Sequence, residues 1–128
     1  MTVPTLVEFE FALSQIASEV MPVLGEVRCK EIASGNLLVN GEFKDSCSVG
    51  STVLHLDRRK PLFKFFDKIP KLPMHFYHIE VWNSQVQISL RNLNTGQSYL
   101  LNRTAYELVA SKLSARFQWE SFCNVRLD

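Results

Sequence analysis

The chain has few cysteines and no long apolar run. Its three cysteines, Cys29, Cys47 and Cys123, are odd in number and widely spaced, which argues against a disulfide framework. No stretch approaches the roughly 20 apolar residues of a membrane-spanning helix. The first ten residues carry two glutamates and no basic residue, unlike a secretory signal. We therefore predict a cytoplasmic protein with no membrane contact, whose cysteines are buried or half-buried free thiols.

Signatures of catalysis and of metal binding are also missing. The chain has no phosphate-binding loop, and its five glycines form no dinucleotide-binding cluster. The three histidines, His55, His75 and His78, lack the usual spacings of zinc ligands. No cysteine lies beside a histidine in the sequence, so no nucleophile–base pair is indicated. These absences predict a protein that is not an enzyme and that needs no metal and no cofactor.

The composition suits one folded domain whose charge is unevenly distributed along the chain. The chain has 128 residues, of which 46% are hydrophobic, so residues 1–128 can bury a core without disulfides or metals. The net charge is +1, but residues 1–27 contain four glutamates and no lysine or arginine. Residues 28–72 contain nine basic residues against five acidic ones. A charge distribution of this kind can orient a charged partner.

Helix signals stand near both ends of the chain. Thr5 and Glu8 have the spacing of a capping box, and Pro22 and Gly25 predict the end of a helix over 5–21. One apolar face follows at steps of three and four: Leu6, Phe9, Leu13, Ile16 and Val20. A later helix is predicted from Arg103 or Thr104 to Arg116, with Thr104 and Glu107 as a second capping box.

Between these helices the pattern favours short strands and turns. Alternation is clearest in the hairpin 75–92, where Val86, Ile88 and Leu90 share one face. Asn40-Gly41 predicts a tight hairpin and Gly50-Ser51 a weaker turn. Strands are predicted at 27–33, 36–39, 52–56, 75–82, 85–92 and 98–102, with a possible edge strand at 119–126.

Residues 58–72 form a basic-aromatic segment with two interpretations. In a short helix that begins at Pro61, the residues Leu62, Phe65, Phe66 and Ile69 share one face. Phe63 would then point away from that face as an exposed aromatic ring. The same aromatic residues also suit an edge strand. We favour the helix, and the strand stays open.

Together these patterns predict an α+β fold. An N-terminal amphipathic helix precedes an antiparallel sheet of about five to seven short strands, with a short basic-aromatic helix inserted and a C-terminal amphipathic helix packed on the sheet. The order of elements resembles that of the small dimeric chaperones of type III secretion systems over most of the chain. Residues 74–116 are similar to the hairpins and helix of single-strand DNA-binding coactivators, with glutamines where those have basic groups.

The basic-aromatic segment is the candidate binding site. Its residues are Arg58, Arg59, Lys60, Phe63, Lys64, Lys68 and Lys71. The favoured hypothesis is a chaperone, inhibitor or adaptor that binds a protein, with self-association plausible, and whose cations steer an acidic partner. The alternative is binding of single-stranded nucleic acid, in which the cations contact phosphates and Phe63 stacks on a base. A third interpretation stays open as well: the cations are only the solvated face of a helix whose Phe65 and Phe66 are in the core.

Overall fold

The computed structural model describes residues 2–36, 48–72 and 75–127. The hairpin predicted at Asn40-Gly41, Cys47 and most of the strand predicted at 36–39 lie outside these residues. The elements, in chain order, are α1 (Leu6–Ala33), β1 (Ser48–His55), α2 (Pro61–Asp67), β2 (Tyr77–Trp82), β3 (Gln85–Leu90), a 3-10 turn (Arg91–Leu93), α3 (Tyr99–Phe117) and β4 (Ser121–Leu127).

The capping box at the start of α1 is confirmed. The Thr5 hydroxyl accepts a hydrogen bond from the Glu8 backbone N–H at 3.2 Å, and the Glu8 carboxylate accepts one from the Thr5 N–H at 3.0 Å. The hydrogen bond from the Thr5 backbone N–H, and then the Thr5 side chain, lower the pKa of the Glu8 carboxyl. The helix therefore begins where the sequence predicts.

The predicted end of α1 is wrong. The helix continues past Pro22 and Gly25 to Ala33, so the strand predicted at 27–33 is helical. Leu24 is buried and Val27 packs on the core, which extends the apolar face beyond the proline. Burial of that face offsets the hydrogen bond that Pro22 cannot donate.

The described strands form one antiparallel sheet in the order β2-β3-β1-β4. Leu54 pairs with Val86, and Ile79 pairs with Ile88, so the core-facing residues of neighbouring strands lie side by side. The predicted hairpin is confirmed as β2 and β3, and the predicted last strand is the edge strand β4. The described residues contain four strands, fewer than the predicted five to seven.

Three local predictions in β1 and α3 are wrong. Gly50 and Ser51 lie inside β1 rather than in a turn. The strand predicted at 98–102 begins α3, because the Ser98 hydroxyl accepts a hydrogen bond from the Leu101 N–H at 3.2 Å and caps the helix there. The second capping box lies within this helix, where Glu107 instead pairs with Arg103 at 2.9 Å.

The core lies between the helices and one face of the sheet. Helix α3 packs on β1 and β4, and α1 packs on α3. The α+β architecture with a helix near each end is therefore confirmed. Helix α2 closes one end of this core, since the Phe66 ring lies 5.5 Å from Phe9 and 5.4 Å from Trp119 between centroids. The helical interpretation of the basic-aromatic segment is confirmed over Pro61–Asp67.

Candidate functional site

The structure places the six predicted cations around α2. Lys60 precedes the helix, Lys64 lies within it and Lys68 follows its last residue, while Arg58 and Arg59 lie in the turn before it. Lys71 lies beyond the helix, and all six residues are exposed. The cations therefore surround the solvent side of a helix whose other side is in the core.

The prediction that Phe63 is exposed is wrong. Its exposed fraction is 5%, and it belongs to the same core cluster as Leu62 and Phe66. A helix of seven residues that fills a corner of the core buries more than one of its sides, so the helical face pattern does not decide which ring is exposed. Phe63 has no surface on which a base can stack.

An apolar groove lies between the start of α1 and the end of α2, and we call it the α1–α2 groove. It has a volume of about 250 Å³ and is lined by Pro4, Thr5, Leu6, Phe65, Lys68 and Ile69. Phe65 is half-buried, with its ring 5.6 Å from that of Phe9 and 5.2 Å from that of Phe66. The core therefore holds one side of the Phe65 ring, and the ring contributes to the wall of the groove.

Further apolar side chains are exposed just before α1 and on its first turns. Leu6, in the groove wall, is 37% exposed, and Val3 and Val7 are 47% and 77% exposed. Phe11, one turn further on, is 57% exposed and lies under the guanidinium of Arg116, 5.9 Å from its carbon to the ring centroid. The sequence pattern placed Leu6 on the core face, and its position at the first helical residue leaves it at the edge of that core.

Arg59 differs from the other cations because it has a partner. Its guanidinium donates to the Asp57 carboxylate at 2.9 and 3.2 Å, and its backbone N–H donates to the same carboxylate at 2.9 Å. These bonds lower the pKa of the Asp57 carboxyl to about 2. Arg58 and Arg59 border a second depression, with His55 and Ser84, of about 660 Å³. Lys68 instead borders the α1–α2 groove.

The remaining five cations make no ion pair with any residue that the structure describes: Arg58, Lys60, Lys64, Lys68 and Lys71. Several acidic groups, in contrast, have partners inside the molecule. Glu10 lies 3.0 Å from His75 and accepts a hydrogen bond from the Tyr77 hydroxyl at 3.1 Å. Glu19 pairs with Lys112 at 2.8 Å. Among the described residues these lysines thus have no ion-pair partner, and Asp67 is the single acidic residue of α2 beside them.

The histidines and cysteines that the structure describes do not assemble into a site. Across residues 2–36, 48–72 and 75–127, no group of three or more His, Cys, Asp or Glu side chains is placed to hold a metal ion. Cys29 is exposed, contrary to the predicted burial, and Cys123 is partly buried. Burial raises the pKa of the Cys123 thiol, which works against a reactive thiolate.

Comparison with known proteins does not identify a function, so the function is inferred from the geometry described above. The chain matches no known family, and no curated protein or solved structure is significantly similar to it. None of the helices in the described part of the chain is long and apolar enough to cross a membrane.

Proposed function

We propose that the chain is a non-enzymatic binding protein of the chaperone, inhibitor or adaptor type, which contacts another protein through the α1–α2 groove and the lysines beside it. The observation that carries this proposal is the position of an apolar groove next to cations that make no ion pair with any described residue. The activity belongs in the cytoplasm, as the sequence predicts.

The groove offers what a protein interface needs at its centre. Leu6, Phe65 and Ile69 form apolar walls that can enclose one large side chain of a partner. A few anchors of this kind carry most of the affinity of an interface, and a polar rim around them excludes water. The volume of about 250 Å³ lies below the range of small-molecule pockets, which favours a side-chain anchor over a free ligand.

The cations provide the rim. Lys68 borders the groove and Lys64 lies one helical turn before it, so both are placed to meet carboxylates of a partner that docks there. Exposed charges of this kind contribute little to affinity as single pairs, but they steer association and select the partner by charge.

The nucleic-acid alternative is less well supported. Phosphate contacts require only the exposed cations, which are present, but stacking on a base requires an exposed aromatic face. Phe63, the ring assigned to that role, is buried, and the Phe65 ring packs against both Phe9 and Phe66. The segment therefore suits an apolar anchor better than a base.

An affinity capture tests the proposal. Tagged wild-type protein, Lys64→Glu/Lys68→Glu and a control, Lys30→Glu/Arg126→Glu, are incubated with nuclease-treated lysate of the cells that normally produce the protein. The control makes the same change in charge at exposed residues of α1 and β4. We expect the wild type and the control to retain a stoichiometric protein that the Lys64/Lys68 variant loses, with circular dichroism unchanged.

Two results contradict the proposal. In the first, all three proteins capture the same partner equally, which places the contact elsewhere. In the second, the wild type recovers only nucleic acid when nuclease is omitted and no stoichiometric protein in either condition.

A further inference from the structure

We infer that the occupant of the α1–α2 groove is an acidic amphipathic helix of another protein; this inference rests on the proposed function. It names three properties of the occupant: its charge, its secondary structure and its origin outside this chain. Each property follows from a separate observation.

The acidic charge of the occupant follows from which charged residues of the chain already have ion-pair partners. Five cations around α2 have no ion-pair partner among the described residues; of these, Lys68 lines the groove and Lys64 precedes Lys68 by about one helical turn. An approaching segment with carboxylates would find these lysines free, whereas a basic segment would meet repulsion from all five. The positive surface thus selects acidic partners and rejects basic ones.

The origin outside the chain follows from the acidic residues of α1. The element of a second copy best suited to these lysines is α1, its most acidic helix. Glu8 is held in the capping box, Glu10 by His75 and Tyr77, Glu19 by Lys112 and Glu31 by Asn36. Glu26 is exposed without such a contact among the described residues, but one carboxylate cannot neutralise both Lys64 and Lys68. Binding of α1 from a second copy would break these contacts or leave the lysines unpaired. Binding of a different protein breaks none of these contacts, and its own carboxylates can pair with the lysines.

The helical form follows from the walls of the groove. No strand contributes to the walls, which come from the start of α1 with the two residues before it and from the end of α2 with the two residues after it, so the groove presents no sheet edge to which an extended peptide could add. The strands at the ends of the described sheet, β2 and β4, are not part of its lining. A helix can place an apolar side chain in the groove while acidic residues three or four positions away face Lys64 and Lys68.

A selection experiment tests this inference with defined probes. A display library of random peptides about four helical turns long is selected on the full wild-type chain at physiological salt. The enriched peptides are then synthesised and titrated against three proteins: the wild type, Lys64→Glu/Lys68→Glu and the control Lys30→Glu/Arg126→Glu. A single-stranded oligonucleotide is titrated in parallel.

We expect enrichment of peptides with bulky apolar residues at helical spacing and glutamate or aspartate between them. Their affinity should fall about tenfold or more in the Lys64/Lys68 variant and stay unchanged in the control. Replacing each acidic residue of a selected peptide by glutamine should cause a similar loss.

The inference is overturned if the selected peptides are neutral or basic, if none is enriched, or if the oligonucleotide binds more tightly than every selected peptide. Its failure is distinguishable from failure of the proposed function. A natural partner that is lost from the Lys64/Lys68 variant, but whose binding segment lacks acidic residues, would sustain the proposed function and refute this inference alone.

Discussion

At the residue scale, the close approach of β1 to α3 depends on a residue without a side chain, Gly50. Gly50 of β1 lies under the ring of Tyr106 on α3, and a Cβ atom at Gly50 would lie 2.5 Å from Tyr106 Cδ2. The Tyr106 hydroxyl in turn accepts a hydrogen bond from the Leu90 N–H of β3 at 3.1 Å, and burial raises the pKa of this tyrosine. The tyrosine therefore connects α3 to two strands, and only glycine leaves room for it.

Gly50→Ala should lower the free energy of unfolding by about 1–3 kcal/mol, because the added methyl group displaces the Tyr106 ring. Urea denaturation followed by circular dichroism measures this. Gly25→Ala is the matched control: it lies exposed within α1 with no atom near the added methyl group, and it should raise stability by roughly 0.5–1 kcal/mol. Equal stability of Gly50→Ala and wild type would mean that the sheet and α3 are less tightly packed than the structure shows.

At the scale of elements, local signals predicted the start of α1 better than its end. The capping box of Thr5 and Glu8 fixes the start of α1 because it is a contact between neighbours in sequence. Pro22 predicts an end that does not occur, because Leu24 and Val27 gain burial from contacts with distant parts of the chain. The hairpin of β2 and β3 was predicted because the alternation of Val86, Ile88 and Leu90 is visible without those contacts.

One part of the candidate site is predictable from the sequence and another part is not. The cations of residues 58–71 are visible in the sequence as a dense basic run. The α1–α2 groove is not, because Leu6 and Ile69 are far apart in the chain and the packing of Phe65 and Phe66 on Phe9 brings the two helices together. The burial of Phe63 was missed for the same reason, since it depends on the corner of the core in which α2 lies.

Pro22→Ala tests the account of α1. The substitution restores the N–H that the proline lacks and removes the clash of its ring with the preceding turn, so the free energy of unfolding should rise by up to about 3 kcal/mol. Pro22 is exposed, so no core contact is lost. Urea denaturation measures the change. A clear loss of stability would show that the packing of α1 requires a bend at the proline.

At the scale of the whole molecule, one polar cluster ties the first turns of α1 to the sheet. Glu10 bonds to the Tyr77 hydroxyl at 3.1 Å and to His75 at 3.0 Å, and the His75 and Tyr77 rings lie 4.3 Å apart. Burial, and then the bond to Glu10 and its charge, raise the pKa of Tyr77 above its ordinary value of about 10. Folding therefore favours the neutral phenol.

Stability should consequently fall as the pH rises. Below pH of about 10 the phenol is neutral in both states, and above it the unfolded chain releases a proton that the folded chain retains, so the contribution of Tyr77 is lost. Thermal unfolding of wild type and Tyr77→Phe at pH 9 and pH 11 measures this. The wild type should lose more stability between these pH values than the variant does. Equal losses would show that Tyr77 ionises in the folded state as easily as in the unfolded one.

Amide hydrogen exchange shows where the partner binds, and so tests whether the partner contacts the α1–α2 groove. Amide hydrogen exchange of the full chain is measured with and without the protein retained in the nuclease-treated capture. We predict slower exchange over 4–11 and 61–69, which contain the walls of the α1–α2 groove, and little change in β4. Slower exchange confined to the sheet or to α3, with these two segments unaffected, would contradict the account.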